Sequence, residues 1–282
     1  MKIIADKHEL REQLAEWRRE HEHIAIVPTM GNLHAGHVSL VDIAREHAER
    51  VVVTVFVNPT QFGAGEDFDS YPRTIDKDKR RLKKTPADVL FVPGVETVYP
   101  FGTEQATRVV VPGLTEHLCG AFRPGHFDGV TTVVARLFAL VQPDVAVFGQ
   151  KDYQQQLVIR RMVDDLNLPI TIRTAPTVRE ADGLAMSSRN AYLDAAERRC
   201  APALYECLRN IKGQLLAGSR DFDVLEKSAA EALATAGLAP EYVAIRSAED
   251  LAEPAPNCAK FVALAAARLG QARLIDNVVV DA

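Results

Sequence analysis

Cysteine is scarce: Cys119, Cys200, Cys207 and Cys258 are the only four in 282 residues. None forms a Cys-x-x-Cys pair, and no histidine accompanies them at the spacing of a zinc motif, which excludes a disulfide scaffold and a structural zinc site and points to thiols in a reducing compartment. Long apolar runs are also missing. The longest uncharged stretches, such as Ile24 to Val41, contain Pro, Gly and Asn, so no membrane span is expected. The opening Met1-Lys2-Ile3-Ile4-Ala5-Asp6 lacks the apolar run of a secretory signal. A soluble cytoplasmic chain is the expectation. There is no excess of positive charge: 33 Lys+Arg stand against 38 Asp+Glu, a net charge of -5. A general nucleic-acid binder needs a phosphate-neutralising surplus and is excluded, although a local basic pocket for a small anion is not. No Gly-x-x-x-x-Gly-Lys-Ser/Thr, Gly-x-Gly-x-x-Gly or Gly-x-Ser-x-Gly occurs, so a P-loop kinase, a conventional dehydrogenase and an elbow-type hydrolase each lack their motif. Internal repeats and low-complexity tracts are absent as well.

What is present is ordinary globular usage, 47% hydrophobic and 25% charged. At about 150 residues per domain, the length suggests two domains. Over residues 1–175, strand-like and helix-like patterns alternate. His8 to Glu20 places Leu10, Leu14 and Trp17 on one helical stripe, and Leu40, Ile43 and Ala44 mark another helix. Ile24–Val27, Val51–Val57, Val89–Val92, Val145–Phe148 and Ile170–Thr174 read as strands, the β-branched runs being the kind buried on both faces. Alternating strands and helices argue for an α/β domain with a parallel sheet, a mixed sheet being the alternative. Over residues 176–282 the pattern changes to two helices, Asp194–Leu216 and Val224–Ala236, and then three strand-like runs, Tyr242–Ile245, Phe261–Leu264 and Leu274–Val280, which suggests a smaller α+β domain. All eight histidines lie at or before His126, so the polar chemistry concentrates in the first domain.

Four segments carry candidate chemistry. Pro28-Thr29-Met30-Gly31-Asn32-Leu33-His34-Ala35-Gly36-His37 follows a buried strand and opens a helix, the place where open α/β sheets bind ligands. A helix N-terminus there suits a phosphate, Gly31 and Gly36 allow close approach, and His34 and His37 share a helical face from which two imidazoles can donate to phosphate oxygens. Phe148-Gly149-Gln150-Lys151-Asp152-Tyr153-Gln154-Gln155 follows another strand, with Lys151 a point charge for a phosphate and Gln155 a neutral polar contact on the next helix. Gly183-Leu184-Ala185-Met186-Ser187-Ser188-Arg189-Asn190 sits at the domain junction, where two hydroxyls and a guanidinium can grip a polyphosphate, or where serines simply cap a helix. Asn58-Pro59-Thr60-Gln61-Phe62 ends the Val51–Val57 run with amides that can read hydroxyl and carboxylate groups, or with nothing more than an Asn-Pro turn. Arg123-Pro124-Gly125-His126-Phe127 has anion-binding character, and the charged stretch Asp76 to Lys84 reads as a solvated helix face. Either Asp76 or Asp78 could instead face a magnesium ion.

Taken in order, Val27–His34, Phe56-Val57-Asn58-Pro59, Tyr71-Pro72-Arg73-Thr74, Arg123–Phe127, Ser187–Asn190 and the closing Ala272–Asn277 resemble the pantothenate synthetase, or pantoate–β-alanine ligase, family over essentially the whole chain. The resemblance implies a Rossmann-like first domain of the nucleotidylyltransferase superfamily, with His34-Ala35-Gly36-His37 as its HIGH-type motif and Met186-Ser187-Ser188-Arg189 as its KMSKS-type counterpart, and a second domain that lids the site. It implies that pantoate attacks the α-phosphorus of ATP and that β-alanine then takes the acyl group from the adenylate. It places Met30, Gly31, Asn32, Leu33, His34, Ala35, Gly36 and His37 with Gly149, Gln150, Lys151, Asp152, Val178, Met186, Ser187, Ser188 and Arg189 around ATP. Among these it gives catalytic roles to His34, His37 (as proton donor), Lys151, Ser187 and Arg189. It places Gln61, Gln155, Asn58 and Arg123 toward the substrates, Mg²⁺ on the phosphates with its protein ligands unassigned, and the chain in a homodimer formed through the first domain. Ala35, Met186 and Gln150 depart from residues frequent in the family. Another nucleotidyl transferase, an aminoacyl-tRNA synthetase fragment and a non-catalytic nucleotide-binding module are the competing readings.

Overall fold

The computed structural model describes residues 1–63, 65–256 and 258–281. Six strands, β1 (Lys2–Ile4), β2 (Ile24–Thr29), β3 (Arg50–Val55), β4 (Val89–Phe91), β5 (Val145–Gly149) and β6 (Thr171–Ala175), form one sheet in the order β1-β4-β3-β2-β5-β6. Every pairing in it is parallel, so the mixed alternative does not occur. Helices α1 (Lys7–Arg19), α2 (Ala35–His47), α3 (Ile75–Leu82), α4 (Val95–Val98), α5 (Cys119–Phe122), α6 (His126–Val141) and α7 (Tyr153–Asp165) connect the strands.

The strand residues explain why both faces are covered. Successive side chains leave a strand on opposite sides. Ile24, Ile26, Val52, Val89, Phe91 and Phe148 enter one core with Leu10, Leu14 and Trp17 of α1, Val134 and Phe138 of α6 and Ile159 of α7. Ala25, Val27, Val51, Val53, Leu90 and Val147 enter the other, with Leu40, Val41 and Ala44 of α2 and Leu82 of α3. Val51, Val52 and Val53 are all 0% exposed, and burying each valine is worth roughly 1.5–3 kcal/mol. A strand with water on one side could not be apolar at all three positions.

Beyond Ala175 the chain forms α8 (Ala195–Cys200), α9 (Ala203–Leu216) and α10 (Phe222–Thr235), then the antiparallel meander β7 (Ala239–Ser247), β8 (Lys260–Leu269) and β9 (Ala272–Asp281). The single helix expected over Asp194–Leu216 is two: Pro202 has no N–H to continue the ladder, and α8 stops just before it. One face of the meander packs on α9 and α10 through Leu204, Leu208, Leu233 and Ile245. The other, through Ala244, Val262 and Leu264, packs on Leu118 and Tyr153 of the parallel-sheet unit. The second sheet is thereby seated beside the turn that follows β5.

Candidate active site

Strands β2 and β5 pair only at Ala25↔Val145 and Ile26↔Ala146, and each then runs on without the other. From β2 the chain turns through α2 to β3 on one side, while β5 lies on the other. That divergence is the topological switch point at which open α/β sheets bind ligands. A cavity of about 220 Å³ opens there.

The segment after β2 is held from below. Gly31 (φ 84°) and Asn32 (φ 49°) are in the left-handed region, and a Cβ on Gly31 would lie 3.0 Å from Val55 Cγ1 and 3.2 Å from Asp78 Oδ2, so glycine is required there. Asp78 is 1% exposed. Its carboxylate accepts from the backbone N–H groups of Asn32 (3.0 Å) and Leu33 (2.8 Å) and from Thr74 Oγ1 (3.3 Å). The reading of Asp76 to Lys84 as a solvated face is therefore corrected: Leu82 enters the core, and of the charged residues Asp78 alone is buried and pins the loop. The N–H groups of Asn32 and Leu33 are already occupied, and Leu33 packs into the core.

The two imidazoles lie 4.0 Å apart between centroids, their planes tilted by 43°. His34 N donates to His37 Nδ1 at 3.2 Å, which leaves the proton of a neutral His37 on Nε2. Burial, followed by the charges of Lys151 and Arg81, pushes His34 down to about 4. Burial, followed by His34 and Lys151, pushes His37 well below the ordinary histidine value. At neutral pH both are uncharged hydrogen-bond donors.

Lys151, on a short 3-10 turn after β5, and the Met186–Arg189 segment complete the cavity wall. Ser188 Oγ donates to the carbonyl of Asn32 at 3.1 Å, a direct bond between the histidine segment and the serine–arginine segment 156 residues apart. Ser187 Oγ accepts from Arg189 N at 3.2 Å, so Ser187 does cap a turn and also lines the cavity. The Arg189 fork is bidentate on Asp67, through Nε (3.0 Å) and Nη2 (2.9 Å), and lies 5.7 Å from the Tyr71 ring centroid.

The amides lie opposite. Gln61 is held by Asn58 Nδ2 (3.2 Å) and donates to the weak acceptor Met30 Sδ (2.9 Å). Asn58, 1% exposed, also donates to Gly129 O and accepts from Tyr99 and Thr60, so it positions Gln61 rather than presenting a free group. Helix α6 can approach this turn only because residue 129 is glycine: a Cβ there would lie 2.3 Å from Thr60 O. Gln155 lines the cavity with no hydrogen bond among the described residues. A second cavity of about 470 Å³ shares Met30, Gln61, Lys151, Asp152, Gln155, Ser187 and Arg189 with the first and extends toward the meander. Arg123 lines this second space, bidentate on Glu66 (2.6 Å each). His126 donates from Nδ1 to Gln61 O (2.8 Å) and accepts from Arg123 at Nε2 (2.9 Å).

The structure thus gathers Met30, His34, Gly36, His37, Asn58, Gln61, Gly149, Lys151, Asp152, Gln155, Val178, Met186, Ser187, Ser188 and Arg189 around one space. Gly31, Asn32, Leu33, Ala35 and Gln150 shape its frame without lining it. Sequence reasoning missed Glu66 and Asp67, and offered Asp78 only as a residue that could face a magnesium ion, not as the carboxylate beneath the loop. The first two lie between the amide turn and the Tyr71-Pro72-Arg73-Thr74 motif, and nothing in their own pattern distinguishes them from solvated acids.

Fold and site together define an α/β enzyme whose anion-handling side chains converge at the switch point of a parallel sheet. Residues 2–279 match the family model described as pantoate-beta-alanine ligase, and the chain belongs to that family, as a ligase. It is 53% identical over 277 residues to the pantothenate synthetase of Pseudomonas paraeruginosa, covering 98% of each chain, and 52% identical over 281 residues to that of Methylococcus capsulatus, covering 100% and 98%. Among solved structures it is similar to pantothenate synthetase from Thermus thermophilus (TM-score 0.92, 47% identity, 99% of each chain). It is also similar to pantoate–β-alanine ligase from Francisella tularensis, described as complexed with beta-gamma ATP and beta-alanine (TM-score 0.81, 31% identity, 99% and 97%).

Proposed function

We propose that this chain condenses pantoate with β-alanine in two steps at the switch-point cavity. A pantoate carboxylate oxygen attacks the α-phosphorus of ATP, and the bond to the β-phosphate oxygen breaks to release pyrophosphate. The amine of β-alanine then attacks the acyl carbon of the pantoyl adenylate, loses a proton, and expels AMP. A free carboxylate is a poor electrophile, and adenylation gives it a leaving group.

One observation carries this reading: His37, Lys151, Ser187 and Arg189, drawn from three separate segments, line one cavity that Gln61 and Gln155 also line. The first four suit phosphate charge, and the two amides suit the hydroxyls and carboxylate of pantoate without adding charge. His37 Nε2–H acts as a hydrogen-bond donor to developing phosphate charge. With its proton affinity lowered, it serves as a donor rather than as a pre-formed acid. Arg189 reaches the phosphates after exchanging Asp67 for them. The similarity to a relative described with ATP and β-alanine bound supports the same substrates here.

Mg²⁺ belongs to the proposal, and the residues suit it. Among the described residues no group of three or more His, Cys, Asp or Glu could cage a metal, but Asp152 lines both cavities beside Lys151. Mg²⁺ commonly rests on substrate phosphates with one or two carboxylates and its own waters, so Asp152 would hold it, and the ion would neutralise phosphate charge. We place the division of the chain near residue 175, with the second unit acting as a lid, the reaction in the cytoplasm, and the chain in a homodimer formed through the parallel-sheet unit. Among the described residues no helix is long and apolar enough to cross a membrane. Exposed Phe101 (84%) and Val110 (55%) on the first unit support a covered face there, which sedimentation velocity tests.

The experiment that tests the function is AMP release from ATP, Mg²⁺ and pantoate, with and without β-alanine. β-Alanine-dependent AMP is the expected result. A stable nucleotidylated product would establish the other transferase reading, and ATP binding without pantoate-dependent pyrophosphate would leave only a binding module.

A further inference from the structure

Two adjacent residues of β9 reach both phosphate-facing segments of the site. Asn277 is 2% exposed and Asp276 is 3% exposed. Neighbouring side chains leave a strand on opposite faces, so one dipeptide can serve two targets. The Asn277 amide donates both hydrogens, to the carbonyls of Gln150 and Lys151, at 2.9 Å each. Those carbonyls belong to the 3-10 turn that carries Lys151, a turn whose own start has no side-chain cap. Reversing the amide would set its oxygen against two carbonyl oxygens, so repulsion fixes its orientation. Asn277 Oδ1 is buried and accepts nothing among the described residues.

Asp276 faces the other way. Its carboxylate takes the Arg179 fork at 2.6 and 3.0 Å and accepts from Asn277 N at 2.7 Å. Arg179 bridges to Ala185 across the hairpin that leads into Met186–Arg189, donates to Gly183 O at 3.0 Å, and lies 3.6 Å from the Tyr205 ring centroid.

We infer that Asn277 is a positioning residue for adenylation, setting the Lys151 ammonium through the carbonyls of its turn, while Asp276, through Arg179, holds the hairpin that carries Ser187 and Arg189. The inference rests on the phosphate role proposed for Lys151. It makes the last strand of the meander, whose Asp276 and Asn277 also line the second cavity, part of the adenylating machinery.

A double-mutant cycle tests it. Pyrophosphate release is followed in a single turnover with ATP, Mg²⁺ and pantoate and no β-alanine, for the wild type, Asn277→Ala, Lys151→Ala and the double variant. Misplacing a charge by a fraction of an ångström to one ångström costs about 10- to 100-fold. Asn277→Ala is expected to slow the step by that factor while leaving the pantoate Kd within about twofold. In the Lys151→Ala background the same change is expected to slow it less than about twofold, because the group it positions is gone. An equal slowing in both backgrounds, or none in the wild type, overturns the inference and leaves the role of Lys151 standing. A Lys151→Ala enzyme that adenylates at the wild-type rate overturns that role, and the inference with it. If Asn277→Ala does not fold, Asn277→Ser, which keeps one donor, enters the same cycle with an intermediate slowing expected.

Discussion

The two walls of the cavity are built on opposite plans. On the imidazole wall, His34 and His37 are neutral, half-buried, and fixed by backbone contacts above a buried carboxylate. On the guanidinium wall, Arg189, like Arg123 in the adjoining second space, is locked onto an acid just upstream of Tyr71, Asp67 and Glu66 respectively. Burial would push the Glu66 carboxyl up, yet the Arg123 fork holds it down at about 2. Asp67 follows the same balance with Arg189, ending below its ordinary value. The first wall is ready for a phosphate as it stands. The second is satisfied internally and must change partners before it can hold one. Preorganisation and exchange each make a different prediction.

If the imidazole wall is preorganised, removing its donor has the largest effect. His37→Ala is expected to slow single-turnover adenylation about 10²–10³-fold, the usual loss for one transition-state donor, with pantoate affinity nearly unchanged. Adenylation at the wild-type rate would sink the assignment. Asp78→Ala attacks the same wall from beneath. It strips the N–H groups of Asn32 and Leu33 of their acceptor, at about 1–3 kcal/mol for each buried donor left unpaired. A loss of roughly 2–6 kcal/mol in urea unfolding is expected, together with slower adenylation. An equally stable variant would show that the loop holds itself.

The difference between the walls also explains what was legible in the sequence. β2, β3 and β5 announce themselves because a strand buried on both faces must be apolar at consecutive positions, and the segment after β2 follows from the strand-to-helix change. The imidazole pair stood out for that reason, and the Ser187–Arg189 segment only from the family resemblance. Asp78 was not, because Ile75–Leu82 carries six charged residues and its local pattern is that of a surface helix. Only the tertiary approach of Asn32 and Leu33, 46 and 45 residues away, turns one of its acids inward. The Asp67–Arg189 pair spans 122 residues and Glu66–Arg123 spans 57, and no local period encodes either. Strand β1, three residues at a sheet edge, is too short to display a period at all.

Acid separates the walls more gently. An unfolded histidine takes up a proton near 6.5, whereas folded His34 does so only near 4 and His126, buried beside Arg123, only near 3. Between those values the unfolded chain binds more protons, so stability falls as pH drops below about 6.5, by at most about 1.4 kcal/mol per pH unit for each group. Above that pH these two groups contribute no slope. Glu66 adds a separate loss below 4.5, as its carboxyl protonates in the unfolded chain first. Urea unfolding between pH 7.5 and 4 measures the slope, and His34→Gln should flatten its upper part. An unchanged slope in that variant would mean that His34 is not held neutral.

The smallest effect tests exchange on the guanidinium wall. Asp67 gives Arg189 two charge-assisted bonds while also accepting from Tyr192 OH at 3.2 Å. Arg189 and Asp67 are about a quarter and a fifth exposed, so screening keeps the pair near 1 kcal/mol or less. A phosphate that takes Arg189 must first displace that carboxylate. Asp67→Asn removes the competing charge and keeps the shape, so ATP should bind up to about fivefold more tightly. The gain should shrink as salt screens the pair, and it should vanish in an Arg189→Ala background. Were the Asn variant instead to bind ATP more weakly, Asp67 would belong to the substrate's own contacts, and the guanidinium wall would be as preorganised as the imidazole one.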